Sequence, residues 1–275
     1  MKTIVATTDF SAISLNAVDY AADMACMTGA HLTLIHVYAL PIKINEVPIP
    51  AFSARELEIN AKAKISKLKE TLLDRTTDRI IIHTEVRPGD VLSELIQYCT
   101  KIKPYAIVMG AENASTLERV LFGGKTVVAL RKIQWPLIVV PPLVKFKSIR
   151  KIALACDFRE VVESVRAQEI KDLVKEFDAE LHVLYVSEES PNTFSAETVE
   201  ESGLLQELLG ELNPKYHFLI DSEIEKAISD FAEENKLDLL IIIPKKHTLV
   251  ARIFHGSHSK NLVLHTHVPV MALHE

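Results

Sequence analysis

The chain has 275 residues, 48% of them hydrophobic and 25% charged, with a net charge of −6. That is enough chain for one large domain or two ordinary ones around a substantial core. The charge is uneven: residues 1–142 carry 16 basic and 14 acidic side chains, a net of +2, and residues 143–275 carry 15 and 23, a net of −8. Neither half has the dense basic surface of a nucleic-acid binder, and no apolar run approaches the roughly 20 residues that span a bilayer, so neither nucleic acid nor a membrane is an expected partner. Cys26, Cys99 and Cys156 are odd in number, far apart and in apolar contexts. They predict buried free thiols in a reducing compartment, not a disulfide framework or a zinc site. The N-terminus enters a strand-like pattern at once and lacks the layout of a cleavable signal, so the expected location is the cytoplasm.

Residues 3–8, TIVATT, are β-branched and apolar and predict a buried strand, broken by Asp9, Phe10 and Ser11. Residues 14–27 place Leu15, Val18, Ala21, Ala22 and Ala25 at helical spacing, with Gly29 as a stop. A second strand follows at 32–38. Residues 39–50 contain three prolines and read as a loop, either a lid over a site or a mobile connector. A long amphipathic helix (54–73), a strand (80–86), a helix (91–100) and a strand (105–109) follow. The stretch 110–126, GAENASTLERVLFGGKT, then leads to a helical pattern at 127–132 and a fifth strand at 135–140. Alternating strands and helices predict parallel pairing with helices on both faces, and the nearly continuous apolarity of the strands predicts the same burial.

After Pro141, Pro142 and a short linker the order begins again. Residues 4–10, IVATTDF, align with 152–158, IALACDF, at an offset of 148; Ala30, Leu32, Ile35 and Val37 align with Ala179, Leu181, Leu184 and Val186 at 149. Residues 105–109, Arg119, Gly123 and the pair Trp135-Pro136 align with 238–242, Arg252, Gly256 and Val268-Pro269 at 133. Constant offsets at each end mean two copies of one domain, at 1–142 and 149–275, the second shorter by 16 residues between its second and fourth strands.

In open parallel sheets ligands bind in the crevice beyond the carboxyl ends of the strands. Here that edge is formed by Thr7, Thr8 and Asp9, by Val37 and Tyr38, by Met109 and Gly110, and by the glycine pair. Asp9 suits a hydrogen bond from a ribose or base, and it equally suits a cap for the helix that begins near Ser11. The run Gly124-Lys125-Thr126 is not a P-loop, because Arg119 stands where that motif needs glycine and the run does not follow a strand.

This layout resembles the universal stress protein family, whose domains are five-stranded, Rossmann-like adenine-nucleotide binders, and the resemblance covers each half once. The family's pattern after the fourth strand is Gly, two residues, Gly, nine residues, Gly, then Ser or Thr. Gly110 and Gly123 match, Asn113 replaces the second glycine, and Gly124 replaces the hydroxyl residue, with Lys125 and Thr126 following. Asparagine tolerates positive φ, so Asn113 preserves the loop's shape, and Gly124 keeps an N–H with room for phosphate. The resemblance implies a first half that binds ATP or a related adenine nucleotide, with or without magnesium, through Thr7, Thr8, Asp9, Val37, Met109, Gly110, Asn113, Gly123, Gly124, Lys125 and Thr126.

The second half keeps Asp157, Gly256 and Ser257 but has Ile243 and Lys246 at the first two glycine positions and Pro244 between them, so it reads as degenerate. Of the 11 histidines, His247, His255, His258, His265, His267 and His274 fall after Lys246; with no cysteine nearby they read as scattered surface histidines, not as a metal site. No catalytic constellation stands out. The expected function is nucleotide-responsive stress or signalling; the alternatives are an interaction protein with decayed sites, and a weak ATPase or adenylyl-transferring enzyme. The fifth strands of the two domains would be edges, and their mutual pairing predicts an internal pseudo-dimer, with a further homodimer open.

Overall fold

The computed structural model describes residues 1–39, 51–111, 129, 132–188, 194–244 and 267–274. The first half contains β1 (Thr3–Thr7), α1 (Ala12–Thr28), β2 (His31–Tyr38), α2 (Ala51–Thr76), β3 (Ile82–Pro88), α3 (Val91–Ile102), β4 (Ala106–Gly110) and β5 (Leu137–Val140). The second contains β6 (Lys151–Ala155), α4 (Val161–Ser164), α5 (Ala167–Phe177), β7 (Glu180–Ser187), α6 (Ala196–Leu209), β8 (Lys215–Ile220), α7 (Ile224–Glu234), β9 (Leu239–Ile242) and β10 (Val270–Ala272). Serine and glycine bound α1 as their chemistry requires: the Ser11 side chain accepts from the Ser14 N–H, and Gly29 closes the helix at φ 64°. Because Ser11 is the cap, α1 starts two residues before the periodicity suggests. β3 runs two residues later than expected, to Pro88, because it is registered on β2 from Leu32↔Ile82 to Tyr38↔Pro88. A proline is tolerated there at the end of an edge strand.

The strands form one ten-stranded sheet in the order β3-β2-β1-β4-β5-β10-β9-β6-β7-β8. Within each half all pairings are parallel, and β5 meets β10 antiparallel through Leu137↔Ala272, Ile138↔Met271 and Val139↔Val270. Side chains alternate between two cores. Ile4, Ala6, Val108 and Ile138 pack beneath α1, α2, α5 and α6. Val5, Ile107, Leu137 and Leu240 pack beneath α3 and α7. Both cores run through both halves.

The internal repeat recurs as repeated backbone bonds. Thr8 N–H donates to Ile35 O and Cys156 N–H to Leu184 O, both at 3.0 Å; Tyr105 N–H donates to Thr3 O at 2.8 Å and Asp238 N–H to Lys151 O at 2.9 Å. α6 has 14 residues where α2 has 26, which accounts for most of the second half's shortening. The linker is held by one face of α1. Asn16 Nδ2 donates to Pro141 O (3.2 Å) and Val144 O (3.0 Å), Lys145 pairs with Asp19 at 3.4 Å, and Phe146 stands edge-on to Tyr20. At the other end of the sheet Glu176 of α5 bridges the halves by accepting from Tyr105 Oη at 2.6 Å and from Lys2 Nζ.

Two side chains depart from the expected burial. His274 is 3% exposed, so it is a core histidine and not one of a scattered surface set; its carbonyl accepts from Arg166 Nε at 2.6 Å. Cys99 and Cys156 are buried, but Cys26 is only half-buried, and none of the three is in a disulfide. Burial pushes the Cys99 thiol up to about 12. Among the described residues no helix is long and apolar enough to cross a membrane.

The outer strands β7 and β8 are joined by a histidine pair. His182, 4% exposed, has Nδ1 3.0 Å from His217 Nε2. Ring centroids 5.1 Å apart with so short a contact place the rings edge to edge, sharing one N–H···N bond. The Glu180 carboxylate lies 3.5 Å from His182 Nε2. Burial first, then His217 and Lys215, hold the His182 imidazole below its ordinary value, and burial with Lys215 does the same for His217. A lowered histidine favours the neutral folded state. The pair's contribution to stability is therefore complete above the ordinary value near 6.5 and is lost as pH falls below it. The urea midpoint should accordingly fall between pH 7.5 and 5.5, and the fall should be shallower in His217→Gln.

Candidate functional site

The turn between β1 and α1 occupies the C-terminal edge of the first half's sheet. β1 pairs with β2 to Thr7↔Ile35 and with β4 to Ala6↔Val108. Past the ladder Thr8 N–H still donates to Ile35 O at 3.0 Å, and the chain then turns toward α1. Thr7 is half-buried, Thr8 is buried, and Asp9 is exposed. Val37 is half-buried against the core beneath α3, and Met109 is buried in it. Thus Thr7, Thr8, Asp9, Val37, Met109 and Gly110 meet at one edge. Asn113, Gly123, Gly124, Lys125 and Thr126 lie outside the described residues, as do residues 40–50 of the proline-containing loop.

Asp9 is not the N-cap of α1; that role belongs to Ser11. Instead Asp9 Oδ1 accepts from the Ser11 backbone N–H at 3.0 Å, a local turn that orients the carboxylate without burying it. The turn is tightened by Thr8 Oγ1, which accepts from the Phe10 N–H at 3.0 Å and lies 3.1 Å from Ser14 Oγ. Partial burial pushes the Asp9 carboxyl up, but hydrogen bonds from the Ser11 and Ser14 side chains and the Ser11 N–H outweigh it and hold the group below the ordinary carboxylate value. Asp9 is therefore an anion at neutral pH, an acceptor suited to hydroxyl or amino donors and repulsive to phosphate.

Gly110 answers to packing as well as to any ligand. A Cβ there would stand 2.7 Å from Ile13 Cγ2 and 2.8 Å from Ile13 O, so only glycine lets the first turn of α1 lie this close to the end of β4. The second half shows the converse. Ile243 stands at the corresponding position, 5% exposed, and there the helix after β6 is split into α4 and α5. The start of α4 is already occupied, because Val161 N–H donates to Glu201 Oε2 of α6 at 2.8 Å. Between Cys156, Asp157, Leu184, Val186, Ile224 and Ile228 a cavity of about 10 Å³ remains, room for about one water molecule.

Sequence reasoning passed over Phe10, Ile13, Ser14 and His36, all of which shape this edge. A polar residue inside the apolar strand LTLIHVY was the available signal for His36. Among the described residues no group of three or more His, Cys, Asp or Glu could hold a metal ion. His267 is exposed, with Nε2 3.5 Å from Glu233, while His247, His255, His258 and His265 lie outside the described residues.

The model of the universal stress protein family matches this chain twice, over residues 1–141 and 148–274. A universal stress protein of Methanocaldococcus jannaschii is 29% identical over 141 residues, covering 50% of this chain and 81% of that protein. The crystal structure of a universal stress protein from Archaeoglobus fulgidus superimposes with a TM-score of 0.70 at 21% identity, over 99% of this chain and 96% of that one. A protein of unknown function from Pseudomonas aeruginosa aligns over 100% of this chain and 92% of its own, at 13% identity and a TM-score of 0.58. At these identities the two structural likenesses establish the fold.

Gly110→Ala should destabilise the protein by about 1–3 kcal/mol, because the added carbon meets helix backbone that cannot yield cheaply. Urea denaturation followed by circular dichroism checks this, and an unchanged midpoint would mean that α1 does not press on β4 as described.

Proposed function

Because this chain belongs to the universal stress protein family, with one copy of the family's domain in each half, we propose that it binds ATP or a related adenine nucleotide in its first half and acts in the cytoplasm as a nucleotide-responsive stress or signalling protein. The carrying observation is the Asp9 turn: an exposed carboxylate, oriented by the Ser11 N–H and held below the ordinary carboxylate value, just past the carboxyl end of β1. On this reading Asp9 accepts from the ribose or base, Thr7 and Thr8 support it, and Val37 and Met109 line the adenine. Gly110, Asn113, Gly123, Gly124, Lys125 and Thr126 wrap the phosphates, with or without magnesium. Repulsion from Asp9 favours placing the phosphates on that loop and the sugar on the turn.

The two domains are taken as 1–142 and 149–275. The second completes the fold without binding nucleotide, a reading supported by Ile243, by the Glu201 carboxylate on α4 and by the small residual cavity. Antiparallel pairing of β5 with β10 supports an internal pseudo-dimer of the halves, and a further homodimer remains compatible with it. On this reading turnover is weak or absent, since no catalytic constellation stands out in the sequence.

Calorimetric titration with ATP should give saturable heat for the native protein. Asp9→Ala should weaken binding about tenfold or more, the cost of one charged hydrogen bond, while Asp157→Ala leaves it unchanged. Absence of both heat and a thermal shift at millimolar ATP would defeat the proposal, and equal losses in the two variants would defeat its asymmetry. Gly123→Val should abolish binding if that loop approaches phosphate.

A further inference from the structure

We propose that His36 is a positioning residue for this site, holding the Asp9 turn in its binding geometry; the proposal rests on the reading of the first half as a nucleotide site. The ladder from β1 to β2 closes with Thr8 N–H on Ile35 O. Beyond it the chain turns away toward α1, so the carbonyl of the buried Thr8 lies past the last paired residue of β1. His36 Nδ1 lies 2.7 Å from that oxygen. A carbonyl only accepts, so Nδ1 carries a proton and the imidazole donates.

The same ring packs against Phe10, with centroids 4.6 Å apart. Phe10 is held at φ 65°, a left-handed conformation that is costly for an aromatic residue and persists only when its surroundings enforce it. Thr8 and Phe10 flank Asp9. His36 therefore grips the residues on both sides of the carboxylate, one by a hydrogen bond and one by ring packing. Lys64 of α2 lies 5.7 Å from the Phe10 ring centroid.

The second half separates the two grips. Tyr185 stands where His36 does, and it packs on Phe158, itself at φ 49°, with centroids 4.8 Å apart. The ring packing and the left-handed turn survive, but a tyrosine ring has no donor at the position of Nδ1. The second half therefore keeps the packing and lacks the donor.

The test uses the full chain and two substitutions. His36→Phe keeps a ring and removes the donor, and His36→Asn returns an N–H close to the position of Nδ1. Hydrogen–deuterium exchange of the Phe10 and Ser11 amides should quicken about tenfold in the Phe variant and return toward the native rate in the Asn variant. In ATP calorimetry His36→Phe should weaken binding about tenfold and His36→Asn should recover part of that loss, while the double variant of His36→Phe with Asp9→Ala should bind no more weakly than Asp9→Ala alone. Unchanged amide exchange in His36→Phe would overturn the positioning role, whatever happens to ATP. Losses that multiply in the double variant would show that His36 acts independently of Asp9 and overturn it equally. If the native protein binds no ATP, the nucleotide reading falls and with it the role in binding, while the exchange rates still decide whether His36 holds the turn.

Discussion

A parallel sheet ends in a strand whose outer N–H and C=O groups face nothing, and here β5 and β10 meet that need for each other. Each is short, buried and wholly apolar, which would be a liability on a free edge. Pairing them antiparallel makes one sheet of two, and both cores pass beneath the seam without interruption. It also reverses the strand direction, so the carboxyl edges of the two halves face opposite ends of the molecule. The linker follows from this. The chain must travel from the end of β5 to the start of β6, and Asn16, Asp19 and Tyr20 of α1 hold it along the way.

Within that frame one divergence between the halves lies at the end of the fourth strand. Where β4 ends in Gly110, α1 follows β1 after the short Asp9 turn and runs unbroken for 17 residues. Where Ile243 replaces that glycine, the equivalent helix is split and a glutamate from α6 occupies its first turn. A side chain where backbone must approach backbone changes both packing and access.

Much of the fold was legible from the chain. Among the described residues of the first half, periodicity and apolar runs located the strands and helices to within about three residues, because buried parallel strands and amphipathic helices have distinct patterns. Constant offsets between Asp9 and Asp157, and between Trp135-Pro136 and Val268-Pro269, disclosed the duplication. The candidate site was legible only in part. The residues at the strand ends were found, since topology places them there, but Ser11's capping role, the Ile13 contact and His36 were not. The Ile13 contact and His36 depend on how closely two elements pack, which no local pattern records, and Ser11's role depends on where the backbone turns between β1 and α1.

The sequence by itself determined the fold class, the two copies, the ends of the strands that face the crevice and the imbalance between the halves, because these follow from hydrophobic period and from matched residue types. Tertiary structure alone decided that Asp9 is oriented by Ser11 instead of capping the helix, that His274 is buried, and that Gly110 answers to Ile13. Those outcomes turn on distances of about three ångströms, set by how the chain turns and how its elements pack, where a hydrogen bond forms or a methyl group no longer fits.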